Sequence, residues 1–366
     1  MNTRVISTLR DFDALAPTWA ALTADIPDPS PFVSHDWFAA CWRTAGPNRR
    51  REVIVFEDAR GPRAAIPLVR SRASKRGLPV RALEFMAPPD APFDDIPVGA
   101  PVDEVVEALL QTLSTRDDWD VMFLPKLPAH SAFLKALASA LSSGRTLWRI
   151  AWRELTPHVA LSGEWEDYLR SRNDALHAAW RTLDDQAHNV VVEEHRTVDP
   201  DGPVFADLME VLNHNWRAPR GGMMTMAQAA QRFYRELTRV MSANGSLHLW
   251  ILRLGGRPVA AEYQIDAGAA VYTLRSGIDP AVSALNPAAR LRIAILRTLF
   301  ERGVAREYFM GPGLIDLKRG WATGTHETFG FKLYARSRYG RLLHRVETRV
   351  LPIARRWSTK VFGDHE

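Results

Sequence analysis

The chain has 366 residues, 46% of them hydrophobic and 24% charged, with a net charge of +5 and a pI near 9.5. That length suits two domains, and its short apolar runs exclude a membrane-spanning helix of about 20 residues. The lone Cys41 excludes an internal disulfide and a thiolate zinc cluster. The first residues lack the apolar core of a signal peptide, so a cytoplasmic protein is expected. The small positive excess suits an anionic cofactor, RNA or an anionic membrane surface without choosing among them.

In chain order, residues 11–23 predict a helix with Leu15, Trp19 and Leu22 on one stripe. Ser34 is placed to cap a second helix carrying Trp37, Phe38, Cys41 and Trp42, aromatic anchors of a core. Val53–Leu68 reads as strand, turn and strand. The Pro- and Gly-rich stretch 77–101 predicts a long loop, followed by a helix over 103–113 and a buried strand over 120–124.

A second half is expected to begin near Trp148. It opens with a charged helical stretch over 164–188, a strand over 190–194 and a helix over 205–216. Gly221 to Met224 predict a flexible break, and Thr225 with Gln228 forms a capping-box pattern before a helix carrying Phe233, Leu237 and Val240. Leu249–Gln264 then repeats the hairpin of Val53–Leu68 at an offset of 196 residues, aligning Pro62 with Pro258, Ala64 with Ala260 and Ala65 with Ala261. A repeat at that distance implies one fold used twice.

A strand over 269–277 leads to a polar turn through Asp279 and Pro280. The next helix, 287–302, has Asn286 at its N-cap and Pro287 at its first position, with Leu291, Ile295 and Leu299 on the buried stripe. A strand over 306–310 breaks at Gly311-Pro312-Gly313. A helix start following a strand is an anion site, because free N–H groups and the positive end of the dipole face one spot. Arg290 and Arg292 close behind strengthen that expectation, and the small Ala288 leaves backbone accessible.

These elements carry a resemblance. Gly256–Ala261, the strand from Tyr272 to Asp279, the helix from Pro287 to Gly303 and the strand leading to Gly311–Lys318 look like the C-terminal half of GNAT-type acyltransferases of the CelD/BcsL branch. Those enzymes are relatives of the FemAB-type peptidoglycan aminoacyltransferases, and Pro31–Trp37 and Ala64–Leu68 extend the resemblance over most of the chain. It implies an α/β fold (α+β mixed sheets) of two tandem GNAT-like domains, 1–147 and 148–366, with the acyl donor bound mainly by the second. It also implies an N-acyltransferase that moves an acyl group from acyl-CoA, as co-substrate, to an amine of a small metabolite or polysaccharide precursor, without a metal. Direct attack needs no covalent intermediate. Two departures stand out: many members have Pro-Gly where this chain has Pro287-Ala288, and the basic cluster opening the second domain is reduced to Arg170, Arg172 and Arg181.

The site residues follow from both readings. The donor pyrophosphate is expected at Asn286, Ala288, Arg290 and Arg292, with the thioester beside Tyr272. Glu262 and His214 are candidate bases; the first is otherwise a solvated strand carboxylate, the second a helix-end cap. Tyr308 is either a proton donor to the leaving thiolate, as tyrosine is in many GNAT enzymes, or core packing. Arg275 and Asp279 either bind substrate or pair with each other. Lys318 matches a lysine common in the family, and Trp216 and Trp321 complete the substrate contacts. A FemAB-like enzyme using aminoacyl-tRNA and a non-catalytic binding protein are the alternatives. No Gly-x-Ser-x-Gly elbow, phosphate-binding Gly-x-x-x-x-Gly-Lys-Ser/Thr loop or His-Glu-x-x-His pair occurs, which speaks against hydrolase, nucleotidase and zinc-enzyme chemistry. The basic stretch 345–362 reads as a tail helix that packs on its own domain or docks on an anionic surface.

Overall fold

Among the described residues, β-branched and aromatic runs bounded by glycine turns form twelve strands joined into a single sheet. The computed structural model describes the chain except residues 25, 27, 47–48, 76–77, 89, 100, 173–188, 216–222, 314 and 351–366. The strands are β1 (Asn2–Ile6), β2 (Arg50–Asp58), β3 (Gly61–Lys75), β4 (Leu78–Phe85), β5 (Val121–Pro128), β6 (Leu147–Ala160), β7 (Val190–His195), β8 (Leu247–Leu254), β9 (Arg257–Asp266), β10 (Ala270–Ile278), β11 (Glu307–Phe309) and β12 (Gly324–Tyr334).

Their order is β1-β2-β3-β4-β5-β12-β6-β11-β10-β9-β8-β7. Moving every strand six places along the chain gives the same order read backwards, so the sheet consists of two equivalent six-strand repeats. In each, four antiparallel strands lead to one parallel pair, β4 with β5 and β10 with β11. A parallel neighbour requires a crossover, supplied by the helices Val102–Thr115 and Pro287–Arg302. The hairpin equivalence extends to register. Ile54 faces Ile66 as Trp250 faces Glu262, Glu57 faces Pro62 as Arg253 faces Pro258, and each pair of strands slips once, between Phe56 and Glu57 and between Leu252 and Arg253.

The two repeats exchange their last strands. β6 closes the first repeat but pairs with β11, whereas β12 closes the second but pairs with β5, and β6 and β12 pair along 11 positions. The tandem is therefore one continuous sheet, where two separate sheets were expected.

Other expectations change in detail. The stretch 77–101 contains β4, which pairs with both β3 and β5; its proline at position 79 does not prevent this. The helix expected over 11–23 is two short ones, Leu9–Asp13 and Ala16–Ala24, with Leu15, Trp19 and Leu22 buried as anticipated. Ser34 caps His35–Thr44 through a 3.1 Å bond from the Trp37 amide. The helix Met223–Ala243 starts two residues before Thr225, which therefore lies within it. Of the charged stretch 164–188, Trp165–Arg170 is helical and 173–188 lies outside the described residues.

Two apolar layers cover the second half of the sheet. On one face Leu249, Ala261, Tyr263 and Ile265 meet Leu208 and Leu212 of the helix Pro203–Asn215 and Leu237 of Met223–Ala243. On the other, Trp250, Leu252, Ala260 and Val271 pack against Leu291, Ile295 and Leu299 of Pro287–Arg302. No described helix is long and apolar enough to cross a membrane.

Candidate active site

Strands β10 and β11 pair over only three positions, Ala270–Tyr272 with Glu307–Phe309. β10 continues to Ile278 while the chain after Phe309 turns away through Gly311-Pro312-Gly313, so the two part at Thr273. Gly311 has φ 77°, and a Cβ there would lie 3.1 Å from the Thr273 carbonyl oxygen, so only glycine lets the chain turn this close.

A hydrogen-bonded network fills the base of this split on the face toward Pro287–Arg302. Glu262 Oε1 accepts from Gln264 Nε2 at 2.7 Å, from Thr273 Oγ1 at 2.6 Å and from the Tyr308 hydroxyl. Thr273 and Tyr308 stand 3.2 Å apart, and Trp250 Nε1 donates to Gln264 Oε1 at 3.1 Å. Glu262 Oε2 faces Arg292 Nη2 at 3.9 Å. Trp250, Glu262, Gln264, Thr273 and Tyr308 are buried, and a carboxylate in such a place is stable only because donors surround it. Burial, with Glu262 beside it, holds the Tyr308 phenol far above its ordinary pKa, so it stays protonated.

Arg292 connects the network to the rim. Its guanidinium carbon lies 5.5 Å from the ring centre of Trp321, a cation–π contact. Lys318 donates to the carbonyls of Pro312 at 2.8 Å and Gly311 at 3.3 Å, tying the turn down. Burial and the nearby Arg292 charge pull the Lys318 pKa down to about 8, against the opposing pull of Glu154 and Glu262. The Tyr168 hydroxyl donates to the Trp321 carbonyl at 2.8 Å, and Arg172 stacks on Tyr168.

The structure thus brings together Glu262, Tyr308, Arg292, Lys318 and Trp321. Glu262 is not a solvated strand carboxylate. Asn286 and Ala288 are exposed at the start of the Pro287–Arg302 helix, but Asn286 adopts a left-handed conformation, φ 49°, with no capping bond from its side chain. Arg290 and Arg292 do not act as one pair. Arg290 donates to the Leu285 carbonyl at 2.9 Å near the helix start, whereas Arg292, about half a turn round the helix, points inward.

Three more expectations are corrected. Tyr272 lies on the opposite face of β10 from Thr273, stacked on Phe309 at 4.8 Å, so it is core and not a thioester contact. Asp279 pairs with Arg257 and accepts the Ala281 amide, a buried turn clamp rather than a partner of Arg275. Arg275 instead reaches the other half, where its Nη1 meets Asp90 Oδ1 at 2.6 Å. His214 belongs to the helix Pro203–Asn215, but its side chain, like Trp216 altogether, lies outside the described residues.

Arg275 and Asp90 border a cavity of about 570 Å³ between the halves. Cys41, Phe85 and Met86 line it from the first half, and Ala230, Phe233 and Tyr234 from the second. The Tyr234 hydroxyl donates to Asp90 Oδ2 at 2.8 Å, so the polar edge of an apolar chamber is fixed by residues of both halves. Burial then makes Cys41 a poor thiolate, its pKa raised well above the ordinary value.

Gln264, Thr273 and Trp250 complete the network and were not among the residues expected from the sequence. The available signal was polar spacing: Glu262 and Gln264 two apart on a strand with apolar flanks place both on one face.

Residues 170–319 match the family described as acetyltransferase (GNAT) domain. No curated protein sequence matches. Among solved structures, FemX superposes with a TM-score of 0.58 at 11% identity, over 94% of this chain and all of that one. A tandem GNAT protein from the clavulanic acid biosynthesis pathway gives 0.51 at 12% identity, over 92% of this chain and all of that one. The C-terminal domain of a putative lysylphosphatidylglycerol synthetase from Agrobacterium fabrum gives 0.51 at 13%, over 92% of this chain and 96% of that one. These likenesses establish the fold, two GNAT-like domains in tandem. The match over residues 170–319, together with the shared fold, makes the chain an acyltransferase.

Proposed function

We propose that the protein is an N-acyltransferase that moves an acyl group from acyl-CoA to a primary amine, with residues 148–366 holding the donor. The observation that carries this reading is the Glu262–Thr273–Tyr308 network at the base of the β10/β11 split. The donor pyrophosphate binds at the open start of Pro287–Arg302, where the first turn holds no acidic residue, and the thioester lies in the split.

The amine nitrogen attacks the thioester carbonyl and the C–S bond then breaks. Glu262 takes the proton lost by nitrogen, and the Tyr308 hydroxyl protonates the departing thiolate. The proton on Glu262 then returns to the Tyr308 oxygen along the hydrogen bond that already joins them, restoring the resting state. Lys318 holds the 311–313 turn against the donor. The acceptor occupies the chamber on the opposite face, where Arg275 and Asp90 orient its polar end and apolar walls receive the remainder.

Calorimetry with CoA, acetyl-CoA and longer acyl-CoA, paired with a thiol-release assay over a panel of amines, tests the proposal. Acyl-CoA binding with amine-dependent thiol release is expected. No affinity for any acyl-CoA, together with transfer from aminoacyl-tRNA, would assign the donor to the FemAB-like alternative.

A further inference from the structure

The strand exchange brings together His158 on β6, Glu307 on β11 and His326 on β12, side chains that no sequence spacing connects. Their ligand atoms all lie within 4.8 Å of one another. Glu307 Oε1 stands 3.0 Å from His326 Nε2 and 3.4 Å from His158 Nε2. In a tetrahedral zinc site with bonds of 2.0–2.1 Å, donor atoms stand about 3.3 Å apart. We propose that His158, Glu307 and His326 form a zinc site that clasps the exchanged strands.

Three independent observations support a built site. His158 faces Gly324 across the β6–β12 ladder, and a Cβ at 324 would meet the His158 ring at 2.6 Å, so the glycine makes room for the imidazole. His158 and His326 both turn Nε2 toward the same oxygen, Glu307 Oε1, so the three donor atoms converge on one space. Phe309, with its ring centre 5.7 Å from that of His158 and 5.1 Å from that of His326, and Phe93, 6.2 Å from His326, wall the cluster with apolar surface.

Two imidazoles and a carboxylate are borderline donors suited to Zn²⁺, with the fourth position left for water. His130 stands next, its ring centre 5.9 Å from that of His326. A bound ion would join a ligand of the first repeat, His158, to two of the second.

The test uses tag-free full-length protein stripped with a chelator and titrated with Zn²⁺, read by elemental analysis and by competition with a chromophoric chelator. One zinc per chain is expected, with affinity at least tenfold weaker in His326→Ala and Glu307→Gln and unchanged in His344→Ala, whose ring instead lies against the Trp148 carbonyl. Stoichiometry below one half, or undiminished affinity in both ligand variants, would overturn the proposal. Should the variants fail to fold, the wild-type protein decides through its melting temperature: a rise with excess zinc is expected, and an unmoved one rejects the site.

Discussion

Ile54, Ile66 and Leu68 of the first half are fully buried, and at the same register 196 residues on stand Trp250, Glu262 and Gln264. One hairpin buries hydrocarbon where its twin buries a carboxylate, an amide and an indole N–H. The two crossover helices differ in the same sense. Val102–Thr115 begins with Asp103 and Glu104, which occupy its positive end, whereas Pro287–Arg302 has no acid in its first turn. Hydrocarbon is the stabler filling, since each buried polar group must regain in protein what it loses in water. The first repeat is built for stability, and the second gives up some of it for a polar site.

The largest effect expected is from Glu262→Gln, which keeps the shape and removes the charge. Turnover should fall by about 10²–10⁴-fold, whereas Ile66→Val at the matched position should leave turnover intact and cost about 0.5–1.5 kcal/mol. Steady-state kinetics and denaturant melts on both variants check this; equal loss of activity in the two would erase the distinction. Next, Arg292→Ala should destabilise by roughly 2–3 kcal/mol, because it removes a buried charged partner. Arg290→Ala should stay within about 0.5 kcal/mol.

Grafting the first repeat's acid onto the second, as Ala288→Asp, should weaken acyl-CoA binding by about tenfold, roughly 1.4 kcal/mol, without lowering the melting temperature. Calorimetry that finds unchanged affinity would move the pyrophosphate elsewhere. The smallest effect concerns Lys318, whose folded pKa of about 8 lies below its ordinary value of 10.5. Between those values the unfolded chain holds more protons, so the wild type should gain stability as pH rises from 8 to 10.5, and Lys318→Met should not. The difference should be about 1 kcal/mol, well below full linkage because the amine is only half-buried. Melts at both ends of that window measure it.

Much of the fold was legible because strand and helix periodicities are local. The hairpin repeat, the Pro287–Arg302 boundaries and the Gly311-Pro312-Gly313 break all follow from short-range patterns. The strand exchange did not, since β6 and β12 carry ordinary strand sequences and their partners are chosen by the whole sheet. The site was legible in its members and less so in their directions. Tyr272 and Thr273 are neighbours in sequence on opposite faces, so an assignment one residue off moves a site residue into the core. Arg292 looked like a helix-start charge, but it lies about half a turn round from Arg290 and points at β9. The Arg275–Asp90 pair joins residues 185 apart, beyond any sequence spacing. The three residues of the proposed zinc clasp escaped the search for ligand motifs for the same reason.

The exchange of β6 and β12 also constrains the order of events while the chain is being made. β5 is complete by residue 128, yet its neighbour β12 begins only at Gly324, so nearly two hundred residues emerge before that edge can be covered. An uncovered strand edge is a template for pairing with another chain, and distant partners close slowly. The first half must therefore wait, partly assembled, for the last strand of the second. A ribosome that stops short of that strand would release a chain with both repeats open at once, so quality of synthesis, more than equilibrium stability, would govern how much active protein a cell obtains.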